Sequence, residues 1–159
     1  RGSGSIRLDE VKWREYALVM KNIIKNFKFY CDDNNLRIPP PREYVLEIIA
    51  SSAKPMTAYD ILDELGKKLN KPKPPTAYRA LEFLGEHGFI HRIESLNAYV
   101  VCHENHKHEG GQFLICDSCG AVEEIHLCTM PKTLQEKVKS QGFNLHHWNV
   151  EVHGKCKAC

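Results

Sequence analysis

Cys116-Asp117-Ser118-Cys119 and Cys156-Lys157-Ala158-Cys159 constrain the fold of this chain more than any other feature. Two residues between thiolates let both sulfurs of a pair reach one tetrahedral ion at about 2.3 Å, and two such pairs complete a four-sulfur site. Gly120 follows the first pair directly, where a glycine lets the backbone turn beneath the sulfurs. The pairs cap the start and end of the C-terminal part of the chain, residues 103–159. A unit below about 70 residues rarely holds together without a staple, so the expectation is a structural zinc tying the last strand to the first.

The remaining cysteines and histidines are concentrated in the same part. From His87 onward the chain holds all nine of its histidines and six of its seven cysteines. An odd cysteine count with two Cys-x-x-Cys pairs argues for metal ligation in a reducing compartment rather than a disulfide scaffold, which places the protein in the cytoplasm. No apolar run approaches the roughly 20 residues needed to cross a bilayer. Residues 1–5, Arg-Gly-Ser-Gly-Ser, read as a leftover of cloning and are set aside.

Hydrophobic periodicity divides the other residues near position 103. Trp13, Tyr16, Ala17, Met20, Ile23, Ile24, Phe27 and Tyr30 recur at helical steps over residues 12–35. Pro39-Pro40-Pro41 opens a second helix with Tyr44, Val45, Ile48 and Ile49 on its apolar face, proline being tolerated where the first N–H has no partner. Thr57 is a plausible N-cap for a third helix that carries Asp60 in its first turn and runs through Ile61, Leu62, Leu65 and Leu69. A fourth begins at about Pro75 or Thr76, buries Ala77, Ala80, Leu81 and Leu84, and stops near Gly88. Residues 89–94 and 98–102 then read as a hairpin.

Three helices and a hairpin, with a basic turn before the last helix, are the order of a winged helix-turn-helix, whose final helix enters a major groove. Net charge is only +2, which does not itself mark a nucleic-acid binder. Residues 66–79, however, carry Lys67, Lys68, Lys71, Lys73 and Arg79 with no Asp or Glu among them. Tyr78 and Arg79 fall off the buried stripe and are expected exposed in the first turn. Beyond residue 103, strands are expected at 113–115, 121–127 and 145–152, with a helix at about 131–141. The predicted fold class is α+β: a winged-helix DNA-binding domain over residues 6–102 and a small α/β domain, stapled by zinc, over residues 103–159, the unit that the family resemblance described below makes the dimerisation domain.

His91, Cys102, His103, His106, His108, Glu124, His126 and His147 make a second set of possible ligands. His91 lies on the first hairpin strand and Cys102 ends the second, so both could face the seam between the domains. Glu124 and His126 share a strand face, as do His147, Glu151 and His153. If His91, Cys102, His108 and Glu124 close on one ion, one sulfur, two imidazoles and one carboxylate suit zinc, whereas an iron(II) or manganese sensor would be all nitrogen and oxygen. Cys31 and Cys128 have no spaced partner and read as structural.

Pro74-Pro75-Thr76-Ala77-Tyr78-Arg79-Ala80-Leu81, Gly88-Phe89-Ile90-His91-Arg92, Cys116-x-x-Cys119-Gly120 and Cys156-x-x-Cys159 together resemble the ferric uptake regulator family of bacterial metal-sensing repressors. The resemblance covers nearly the whole chain from about residue 16 and is strongest to the zinc-uptake-regulator branch. It implies a homodimeric repressor, activated by at least two zinc ions per chain, on a palindromic operator upstream of zinc-acquisition genes. It implies a regulatory site of His91, Cys102, His108 and Glu124, with His106 in place of His108 if the loop after Cys102 aligns differently. A further site could use His106, His126 or His147. Expected DNA contacts are Tyr78 and Arg79, with Thr76, Lys71, Lys73, Arg42 and Tyr59 beside them. No His-Glu-x-x-His or deaminase pattern is present, so an enzyme is not expected. Family members sensing iron, manganese or peroxide, and a zinc-ribbon interaction module, are the alternatives.

Overall fold

The computed structural model describes residues 8–103, 110–125, 127 and 129–159. Helices α1 (Leu8–Asp33), α2 (Pro40–Ala50), α3 (Ala58–Leu65) and α4 (Pro74–Glu86) surround one apolar core. Phe27 and Cys31 of α1 meet Val45 and Leu46 of α2, Ile61 and Leu65 of α3 and Leu84 of α4, all fully buried. Burying a large apolar side chain contributes about 1.5–3 kcal/mol, so this layer dominates the stability of the N-terminal part. Cys31 is part of that layer, and burial pushes its thiol pKa up.

Local chemistry accounts for the helix starts. The Thr57 hydroxyl accepts the Asp60 N–H at 3.2 Å while the Asp60 carboxylate accepts the Thr57 N–H at 3.2 Å, a reciprocal capping box. Prolines open α2 and α4. The third helix stops at Leu65 rather than running to Leu69. After Gly66, a weak helix former, Lys67 and Lys68 donate to the carbonyls three residues back, at 3.1 and 3.0 Å, and this tightens the final turn.

The hairpin forms as β2 (Ile90–Ile93) and β3 (Ala98–Val101), joined by a 3-10 turn over Glu94–Leu96 and by Asn97 in the left-handed region. A two-residue strand that the periodicity did not announce, β1 (Met56–Thr57), pairs with the other edge of β3. His91 stands opposite Val100 in this sheet.

A second sheet has the order β5-β4-β6, from β4 (Gln112–Cys116), β5 (Val122–Glu124) and β6 (Val150–Gly154). The last strand is shorter than the expected 145–152 because its parallel partner β4 starts only at Gln112, opposite Val150. Trp148, just before it, is buried, and its carbonyl packs so closely on Gly110 that a Cβ there would collide with it. The crossover between the parallel strands includes α5 (Lys132–Ser140). Ile93 of the hairpin joins Phe113 and Ile115 of β4 in a small second core, flanked by Val100 and Val122. The architecture is therefore α+β, a winged helix-turn-helix followed by a small α/β unit.

Candidate metal centres and nucleic-acid face

The four cysteines of the paired motifs converge although forty residues separate Cys116 from Cys156. The parallel register of β4 and β6 brings them together: Cys116 ends β4 opposite Gly154, two residues before Cys156. Their sulfurs all lie within 4.8 Å of one another, and those of Cys119 and Cys156 are 3.7 Å apart. Two sulfurs bound at 2.3 Å to one tetrahedral ion lie about 3.8 Å apart, so the cage has the size that zinc requires. Gly120 takes φ 73° behind the first knuckle, the left-handed turn for which a glycine was expected.

Backbone N–H groups feed the same cage. The Cys156 N–H donates to the Cys116 sulfur at 3.2 Å. Donors of this kind, from Cys156 first and Cys119 next, bring the Cys116 thiol down to about 6. Cys159 goes the other way, pushed up to about 12 by hydrogen bonding with Cys156, Cys119 and Cys116. Crowded thiols cannot all ionise without a cation among them, and a divalent ion removes that opposition.

The second cluster is built from both sheets. His91 comes from β2, Cys102 follows β3, and Glu124 ends β5; one ligand atom from each lies within 4.8 Å of the others. Cys102 is held by its N–H, which donates to the Phe89 carbonyl at 2.9 Å and extends the hairpin ladder by one step. Nε2 of His91 is 3.3 Å from a Glu124 carboxylate oxygen, and the Phe113 ring meets the imidazole edge-on at 5.9 Å. Burial works to lower the His91 pKa, but hydrogen bonds to Cys102 and Glu124 outweigh it and raise the value to about 9. A thiol, an imidazole and a carboxylate gathered in a largely buried pocket are the donor set of a zinc site.

The other expected ligands divide in two. His106, His108 and His126, like the structural cysteine Cys128, lie outside the described residues. His147 is exposed, precedes β6 rather than lying on it, and is not in either cluster.

The first turns of α4 present Tyr78 and Arg79 to solvent, with Tyr78 more than half exposed. Lys73 occupies the N-cap without capping through its side chain, and the first turn carries no acid. Exposed Lys71 and Lys73 thus stand at the positive end of α4, where negative charge is favoured. Thr76 is half-buried beside them and Tyr59 is highly exposed at the start of α3. Arg42 has a packing role: its guanidinium stacks on the Phe83 ring at 3.7 Å and donates to the Arg37 carbonyl at 2.9 Å.

The family model that matches this chain, over residues 33–153, is that of the ferric uptake regulator family. The chain belongs to that family. The zinc uptake regulation protein of Escherichia coli (strain K12) is 41% identical to it over 131 residues, covering 81% of this chain and 76% of that protein. A solved zinc uptake regulator complexed with zinc and DNA superposes with a TM-score of 0.81 at 37% identity, covering 88% of this chain and 94% of that one. The holo form of XcZur superposes with a TM-score of 0.78 at 37% identity, over 87% of this chain and 96% of that one. Its apo form reaches only 0.50 at 36% identity, over 88% and 97%. Identity and coverage are nearly the same in the two comparisons, so the chain is structurally more similar to the holo form than to the apo form.

Sequence reasoning overlooked two contributors. Phe113 packs against His91 only because the second sheet meets the wing. Asp117, inside the first knuckle, accepts a 3.0 Å contact from His153 that no local spacing announces.

Proposed function

We propose that this chain is a zinc-responsive transcriptional repressor. As a homodimer with zinc bound it holds palindromic operator DNA and shuts off zinc-uptake genes. It has no catalytic activity and works in the cytoplasm, where the paired thiols stay reduced. The observation that carries this reading is the cluster of His91, Cys102 and Glu124, which gathers a sulfur, a nitrogen and an oxygen ligand where the wing meets the second sheet.

Two zinc ions per chain have different tasks. Cys116, Cys119, Cys156 and Cys159 would hold the structural one. His91, Cys102 and Glu124 would hold the regulatory one, with His108, or alternatively His106, as the fourth ligand. The ion supplies a cross-link between the DNA-binding domain (6–102) and the dimerisation domain (103–159). Fixing that hinge sets the spacing of the two recognition helices in a dimer, and each half-site must be met at a set distance. The greater likeness to the holo than to the apo form of a relative supports a zinc-dependent arrangement of the two parts.

On DNA, Arg79 and Tyr78 read bases from the first turn of α4, while Lys71, Lys73, Thr76 and Tyr59 meet the backbone; Arg42 braces α4 through Phe83. Exposed Leu114 and Val152, neighbours in the parallel ladder, offer the second copy an apolar sheet face. The test is selection of duplexes from fragmented genomic DNA with free zinc buffered high and then low. One palindromic site enriched only at high zinc is the expected result; equal enrichment at both would remove zinc as the signal.

A further inference from the structure

A carboxylate on the last strand reaches the wing at a second point, through a residue that is in neither ligand cluster. Both oxygens of Glu151 on β6 lie within reach of the Ser95 backbone N–H, at 3.2 and 3.3 Å, across 56 residues of sequence. Ser95 sits in the 3-10 turn between the wing strands. The Glu151 carboxyl lies below the ordinary carboxylate range, with hydrogen bonding from Ser95 the main cause.

Glu151 is itself braced from behind. Nε2 of His153 is 3.6 Å from one of its oxygens, a charge contact rather than a hydrogen bond, and Nδ1 of the same ring is 3.0 Å from the Asp117 carboxylate. Asp117 is the residue after Cys116, and its N–H donates to the Gly154 carbonyl at 2.8 Å. An unbroken series of contacts thus runs from the four-cysteine knuckle through His153 and Glu151 to the tip of the wing.

The regulatory cluster grips the wing elsewhere. His91 lies within β2 and Ser95 in the 3-10 turn beyond its end, so the two attachments fall at different points along the wing. One attachment lets a hairpin swivel, whereas two at different points fix its direction.

We propose that Glu151 is a positioning residue of the hinge, clasping the wing turn to the four-cysteine unit with His153 and Asp117 behind it. This rests on the hinge reading given above and adds a regulatory connection to it: the integrity of the four-cysteine site governs how well the hinge closes on its metal. Clasp and metal both join the wing to the second sheet and so favour the same arrangement of the two, and by linkage loss of either weakens the other.

The test uses the full chain with zinc at the four cysteines verified, and needs no DNA. Zinc affinity of the hinge site is measured by competition with a chelator, and exchange of the Ser95 amide by hydrogen–deuterium NMR, in wild type, Glu151→Ala, Glu151→Gln and His153→Gln. Glu151→Ala is expected to weaken hinge zinc roughly three- to tenfold and to speed Ser95 exchange, as loss of a charge-assisted contact implies. Glu151→Gln keeps an acceptor oxygen and stays within about twofold of wild type. Should Glu151→Ala fold poorly, His153→Gln removes only the brace and gives a smaller shift in the same direction. Wild-type affinity and exchange in a folded Glu151→Ala protein, or in His153→Gln where that is the variant that folds, would overturn the clasp. Absence of zinc-dependent operator binding by the wild type would instead overturn the repressor reading, so the two failures are distinguishable.

Discussion

Nε2 of His91 lies 3.3 Å from Oε1 of Glu124, one on the wing and the other on the second sheet. That contact spans the hinge, and Cys102 completes the group on the wing side. Whatever binds there acts on the angle between the two parts of the molecule.

In the proposed function Cys102 is the ligand that selects zinc, and Cys102→Ser tests that role. A hydroxyl is a poor substitute for a thiolate at zinc, and losing even an outer partner of a site costs 10- to 100-fold in affinity. The variant is expected to melt close to wild type, to retain the zinc held by the four cysteines, and to lose zinc-dependent operator binding. Zinc content by atomic emission and gel shifts in buffered zinc read the outcome; a normal zinc response would remove Cys102 from the site.

The four-cysteine site carries a different prediction. Cys119→Ala leaves three thiols and a unit too small to hold itself together. The expected result is loss of the β4–β6 pairing and of the dimer, while the helical core around Phe27 and Leu46 still melts cooperatively. Circular dichroism and sedimentation, repeated on wild type stripped by a strong chelator, give the comparison. A dimeric Cys119→Ala protein would show that the zinc staple is dispensable.

Metal binding at the proposed hinge site is expected to depend on pH. Against burial, which lowers it, the His91 pKa is raised to about 9, above its ordinary value of 6.5, by hydrogen bonding to Cys102 and Glu124. Its stabilising contribution is therefore complete below about pH 6.5 and is lost as pH rises through 9. Zinc must displace that proton, so hinge affinity should rise with pH over the same window. Calorimetry in buffers of different ionisation enthalpy is expected to find about one more proton released per zinc from wild type than from His91→Gln at neutral pH. Equal release from both would contradict a protonated His91.

On DNA, Arg79 and Lys71 should separate. Arg79→Ala should cost about 1–3 kcal/mol and relax sequence preference at one operator position, as loss of a bidentate guanine contact does. Lys71→Ala should weaken binding to every sequence alike and reduce the salt slope by about one. Binding isotherms on operator variants at several salt concentrations discriminate the two; a uniform loss for Arg79→Ala would make it a phosphate contact.

Much of this was legible along the chain. The Thr57–Asp60 capping box, the proline starts of α2 and α4, and the stripe of Ala77, Ala80, Leu81 and Leu84 are decided within one or two helical turns, where sequence spacing and spatial distance coincide. The two Cys-x-x-Cys pairs are legible for the same reason. Strand ends were less so: β1 exists only because β3 offers it an edge, and β6 begins only where β4 can pair with it.

By itself, then, the sequence determined the helical unit, the two knuckles, the ligand types available and the exposed Tyr78-Arg79 pair, because each depends on neighbours a few residues away. The tertiary structure alone decided that His147 stays out of both clusters, that Arg42 stacks on Phe83, and that Glu151 meets Ser95. Those outcomes depend on strand register and on how two sheets pack through Ile93, Phe113 and Ile115. A one-residue change of register reverses which face every side chain takes, and no local spacing encodes it.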